Sequence, residues 1–133
     1  MALTIIEGSF DVALTSQQSS LEGKHGITFG KMHIHKTYSG QLQASSVGEM
    51  FTTLTQQKGS AGYIAREQVE GTLVGRQGSF VLQHFGSMNR GDQTLILEVV
   101  PDSGTGELMS LSGSMKIEIA EDGKHFYTFE FEL

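Results

Sequence analysis

Apolar and polar residues alternate with a period of two along most of this chain, and short glycine-bearing stretches interrupt the alternation. Such a pattern places one face of a strand in a core and the other in water, and no stretch keeps the helical period long enough to compete. Strands are expected at 4–14, 28–38, 41–54, 61–74, 79–88, 94–101, 113–120 and 125–133. Seventeen glycines against one proline suit many turns joining many strands. The polar stretch SQQSSLEGKHG joins the first two strands as a loop. Within DSGTGELMSLSG, Glu107 to Leu111 is the place for one short helical turn.

The 133 residues fit one domain over 1–133. Antiparallel strands that are each apolar on one side bury that side best by closing the sheet, which also removes exposed edges. The expected fold class is therefore all-β, a single closed eight-stranded antiparallel up-and-down β-barrel with at most one short helical turn. A barrel of that strand number is either filled by its own side chains or holds one small ligand.

Composition narrows the function. The net charge of −6 disfavours phosphate backbones and anionic membrane surfaces as partners, because both are held by clustered lysine and arginine and the nine basic residues here are scattered. No cysteine is present, so there is no disulfide, no thiolate nucleophile and no cysteine-ligated metal. The opening MALTIIEGSFDVAL has no basic leader and carries Glu7 and Asp11, and it reads as the first strand rather than a signal peptide or membrane span. A cytoplasmic location is the expectation.

Two hairpins can be registered. EDGK suits a three-residue loop with a left-handed glycine, setting Ile119 opposite Tyr127, Ile117 opposite Phe129 and Met115 opposite Phe131. GRQG reads as a two-residue turn at Arg76–Gln77, pairing Leu73 with Phe80, Gly71 with Leu82 and Val69 with His84. Tyr63, Ala65, Glu67, Gly86 and Met88 continue the inward face, while Arg66, Gln68, Glu70, Thr72, Ser79 and Gln83 face water. Glu67 and His84 thus become diagonal neighbours inside an apolar lumen. Two readings are open for them: a mutually satisfied polar pair that fixes packing, or a site in which Glu67 orients the imidazole and His84 hydrogen-bonds a ligand or moves a proton. Tyr63 on the same face offers a hydroxyl.

Lys36 shares a face with Met32, Ile34 and Tyr38. Snorkelling out at a barrel end is preferred for it over reaching a carboxylate such as Glu67. His33 and His35 lie on one side of a strand, a spacing compatible with metal ligation, but Lys31 and Thr37 share that side and a solvated outer face is the better account. GTGEL and GSAG lack the lysine and the strand-to-helix setting of a phosphate cradle, so they are turns and no cofactor is expected. No Gly-x-Ser-x-Gly elbow or His-Glu-x-x-His helix supports a hydrolase or metalloprotease. Val81 and Phe85 face outward, and LILEVV at 95–100 is apolar on both sides, which predicts an exterior patch and a homo-oligomer.

The blocks GSAGYIAREQVEGTLVGRQGSFVLQHFGSMNRG and VVPDSGTGELMSLSGSMKI resemble a bacterial family of uncharacterised proteins, a domain of unknown function. The resemblance runs from GSFDVAL to the C-terminus. It implies a calycin-type barrel similar to allene oxide cyclase and dirigent proteins, often oligomeric in those relatives, and implies no activity. Three functions follow. The first is a module that binds a small apolar or amphipathic molecule through Glu67, His84, Tyr63, Phe80, Leu82 and Met88. The second is an isomerase or cyclase that uses the His84–Glu67 pair. The third is a filled barrel serving as a structural or interaction protein.

Overall fold

In the computed structural model, residues 3–133 are described; Met1 and Ala2, within the expected domain, lie outside them. The sheet closes on itself. Its strands are β1 (Thr4–Gln17), β2 (Thr28–Gly40), β3 (Leu42–Leu54), β4 (Ala61–Leu73), β5 (Arg76–Asn89), β6 (Asp92–Val99), β7 (Ser112–Ile119) and β8 (His125–Glu132). Each is antiparallel to the next, and β8 returns to β1. One 3₁₀ turn, Gly106–Leu108, falls in the stretch expected to turn. The β1–β2, β3–β4, β5–β6 and β7–β8 loops gather at one end, here the upper; the other connections lie at the lower.

Two registers differ from the sequence reading. The β4–β5 turn is Val74–Gly75, with φ of 49° and 80°, so Leu73 faces Arg76, Val69 faces Phe80 and Ala65 faces His84. Positive φ at both central residues makes the turn whose twist matches a hairpin. A β-branched residue is an outlier there, so Val74 carries no turn signal in the sequence. At β7–β8 the loop is Glu121–Asp122–Gly123, closed by a bond from Ala120 N to Lys124 O of 2.8 Å. Met115 therefore faces Phe129, Ile117 faces Tyr127 and Ile119 faces His125. Both errors are even numbers of residues, so every side chain keeps its expected face.

The lower half is sealed. Phe80 stacks on Phe129 with ring centroids 5.9 Å apart, within a cluster that includes Ile6, Leu42, Val69, Leu73, Leu82 and Tyr127. The segment after β6 closes the base. It bonds to the β5 edge through Val100 N to Val81 O at 2.9 Å and Thr105 N to Ser79 O at 2.8 Å, and it buries Leu108 and Leu111. This covering overturns one expectation: Ser79 is buried, with its hydroxyl 2.7 Å from that of Thr105.

The upper half is open. Strands β6 and β7 pair only at Glu98–Ser114, so above that point their facing edges run unpaired. β1 continues past its last pair with β8, Phe10–His125, as far as Gln17. Inward-facing apolar residues at this end consequently meet solvent.

The β3–β4 approach at mid-barrel depends on Gly48, which pairs with Glu67. A Cβ on Gly48 would fall 2.1 Å from the Arg66 carbonyl oxygen and 2.8 Å from the Glu67 Cα. Gly48→Val should force the strands apart at a cost of about 1–3 kcal/mol, read as a melting temperature about 5–10 °C lower. An unchanged melting temperature contradicts this close packing.

Candidate functional site

Glu67 lies at mid-barrel on β4 with its side chain fully buried, and three other strands bring donors to it. Its Oε1 accepts from the Tyr38 hydroxyl and from Ser46 Oγ at 2.9 Å. Its Oε2 accepts from Lys36 Nζ at 2.8 Å and from His84 Nε2 at 2.6 Å. A carboxylate offers about four lone-pair positions, so Glu67 is saturated. Burial by itself would raise its pKa. The bond from His84 and the charge of Lys36 outweigh that and hold it down at about 2. Burial, followed by the Glu67 charge, lifts the Tyr38 phenol far above its usual range, which keeps it a donor. The Lys36 ammonium also sits over the Phe10 and Tyr38 rings, 4.8 and 5.7 Å from their centroids.

Because an ionised Glu67 can only accept, His84 Nε2 carries the proton of their bond. Among the described residues His84 Nδ1 has no hydrogen-bond partner. Among the described residues no fully buried side-chain nitrogen or oxygen lacks one, so Nδ1 is reached by solvent. The Tyr63 ring lies 6.2 Å from the imidazole and fills the space over Gly86, where a Cβ would meet it at 2.3 Å. Burial and then the Glu67 charge raise the Tyr63 pKa, and among the described residues its hydroxyl makes no hydrogen bond. Two polar groups, Nδ1 and this hydroxyl, are therefore free above the saturated carboxylate.

Glu67 and His84 meet as diagonal neighbours, through the Ala65–His84 pair rather than the expected Val69–His84 pair. Tyr63 and Met88 lie half-buried on the same face toward the upper end. Phe80 and Leu82 are 1% and 0% exposed in the sealed lower core, away from any reachable surface. Lys36 does not snorkel. It pairs with Ser46 across β2–β3 at mid-barrel, where no barrel end is in reach and Glu67 neutralises it. Tyr38 and Ser46 are site residues that sequence reasoning missed. The inward parity of Ala44, Ser46, Gly48 and Met50 held a signal, since a hydroxyl on a small-residue face needs a partner. His33 and His35 face outward, and among the described residues no three His, Cys, Asp or Glu side chains gather as a metal group. No described helix is long and apolar enough to cross a membrane.

The outer wall carries a second feature. Phe51, Ile64, Phe85 and Ile96 are direct cross-strand partners in one row over β3–β6 and are 37%, 55%, 62% and 52% exposed. Two grooves of about 390 and 460 Å³ run along this row; Tyr63 and Gly86 contribute to the lining of the first and His84 to that of the second, and neither includes Glu67. Beside the row, Arg66 and Lys31 flank Glu49 at 3.1 and 3.5 Å, and the Arg66 bond lowers the Glu49 pKa.

The cluster predicts an acid response. With a folded pKa of about 2 against an ordinary 4.5, Glu67 contributes stability that is complete above about pH 4.5 and lost as pH falls toward 2. The loss is on the order of 3 kcal/mol. Glu67→Gln leaves Lys36 buried without its counter-charge and should cost about 3–5 kcal/mol at neutral pH, with a flatter decline in acid. Urea unfolding across this pH range tests both, and a variant that parallels the wild type in acid contradicts the assignment.

Comparison with known proteins places this geometry. No curated protein matches the chain. A crystal structure of a protein with unknown function from Shewanella oneidensis MR-1, itself of the DUF3224 family, is 52% identical, covers 99% of this chain and 98% of its own, and superposes with a TM-score of 0.95. The family described as protein of unknown function (DUF3224) matches over residues 6–131. The chain belongs to the DUF3224 family.

Proposed function

We propose that the upper half of the barrel is a cup that binds a small amphipathic molecule, with its apolar body against the walls and its polar head toward the Glu67 cluster. One contrast carries this reading. The inward-facing Leu14, Leu95 and Ile119 are 49%, 38% and 63% exposed, whereas Val69, Leu73 and Leu82 below the cluster are 0% exposed. Apolar side chains on the concave side of a sheet with a few polar groups at the floor match the composition of small-molecule sites. Half-buried Met32, Met50 and Met88 add adaptable walls. The unpaired β6–β7 edges leave a lateral way in. On this reading Tyr63, His84 and Met88 touch the ligand, Glu67 acts through His84, and Phe80 and Leu82 only support the floor.

The fluorescence of N-phenyl-1-naphthylamine should rise and shift to the blue on titration with the protein. Leu14→Glu combined with Ile119→Glu places two charges in the apolar wall at exposed positions and should weaken the dye about tenfold or more. Absence of a signal, or equal binding by the double variant, refutes the cup.

The outer row supports a second, compatible reading, that this face packs on another copy of the chain. Four apolar side chains in unbroken cross-strand contact exceed the scattered exposure normal for a monomer, and a border carrying both Arg66 and Glu98 suits a self-complementary contact. Sedimentation should give a mass above the monomer for the wild type, with Phe85→Glu monomeric and equally heat-stable. A monomeric wild type at high concentration ends this reading.

A further inference from the structure

Resting on the cup reading, the free polar groups specify its ligand further: we infer that the head group is a neutral hydroxyl, so that the ligand class is an alcohol with an apolar body. The geometry points there by elimination. Both oxygens of Glu67 already accept two bonds each, so a ligand cannot use this carboxylate without displacing Tyr38, Ser46, Lys36 or His84. Lys36 has its ammonium on Glu67 and over two aromatic faces, so its charge is already neutralised within the cluster. Next to the Glu67 carboxylate that leaves His84 Nδ1 and the Tyr63 hydroxyl, on rings whose centroids are 6.2 Å apart, while His125 stands on the β8 wall with its ring on Phe10 at 5.1 Å and Thr52 lies against Gly30.

A hydroxyl can donate one hydrogen bond and accept another, so one group satisfies both atoms at once. It donates to Nδ1 of the neutral imidazole while accepting from Tyr63, and against an imidazolium it accepts from Nδ1–H while donating to the Tyr63 oxygen. An anionic head fits worse. Against the neutral imidazole Nδ1 offers only a lone pair, and the Lys36 and Glu67 charges cancel, so the carboxylate of a fatty acid would lose its hydration in return for one bond from a phenol. A body without polar atoms expels water from Nδ1 and from the phenol and returns nothing to them. Tyr63 is thereby the residue that discriminates among ligands, and among the described residues its hydroxyl has no hydrogen-bond partner.

Displacement of bound N-phenyl-1-naphthylamine in neutral buffer by 1-octanol, octanoate and 1-chlorooctane separates the alternatives, since the three share a chain and differ in the head. Octanol should displace the dye at about tenfold lower concentration than either of the others. Tyr63→Phe, which removes only the unbonded hydroxyl, should weaken octanol about tenfold and leave chlorooctane unchanged. His84→Ala is the poorer probe because it also unfastens Glu67. Preference for octanoate, equality of octanol and chlorooctane, or indifference of octanol to Tyr63→Phe overturns the hydroxyl assignment while the cup stands. Failure of the dye itself to bind overturns both.

Discussion

The Glu67 carboxylate is the constraint around which the barrel interior is arranged. Four donors from β2, β3 and β5 converge on a group carried by β4, so a single side chain fastens four consecutive strands through the lumen. Burying a carboxylate is costly unless its charge is matched and its lone pairs are filled, and here both conditions are met. Removing any one partner leaves the rest buried and short of a bond, which makes the cluster a cooperative unit. Gly48 is part of the same unit without any polar atom, because its missing side chain is what lets β3 approach the Glu67 backbone.

This cluster also divides the barrel. Below it, aromatic and branched side chains interlock, and the segment that follows β6 seals the end with Leu108 and Leu111. Above it, Tyr63 lies over Gly86 and Thr52 over Gly30, and the inward-facing Leu14, Leu95 and Ile119 stay 38–63% exposed. Unequal strands do the rest. β1 has fourteen residues against eight in β8, and β6 meets β7 at a single pair, so the wall stops short on one side. His84 and Tyr63 are held on strands rather than on loops, directly above the filled lower half.

Strand positions were legible because a period of two is a local property, and each strand formed close to where the alternation placed it. Registers were less legible: Val74 takes a left-handed conformation that no β-branched residue advertises, and the Glu121–Asp122–Gly123 loop starts one residue before the expected one. The inward pairing of Glu67 with His84 survived those errors because slips by even numbers preserve the face. Lys36 was misplaced for a different reason. Its inward reach depends on how far β2 lies from β4 across the closed lumen, a distance set by strands remote in sequence. Tyr38 and Ser46 went unrecognised as partners for the same cause, since a donor is visible in sequence only when its acceptor's position is known.

Glu67 holds His84 through Nε2 and leaves Nδ1 to solvent, and the nitrogen chemical shifts of the His84 ring read this directly. Long-range ¹H–¹⁵N correlation should show a slowly exchanging proton on Nε2, with Nδ1 either unprotonated or in fast exchange with water. A protected proton on Nδ1, with Nε2 open to solvent, would contradict the account.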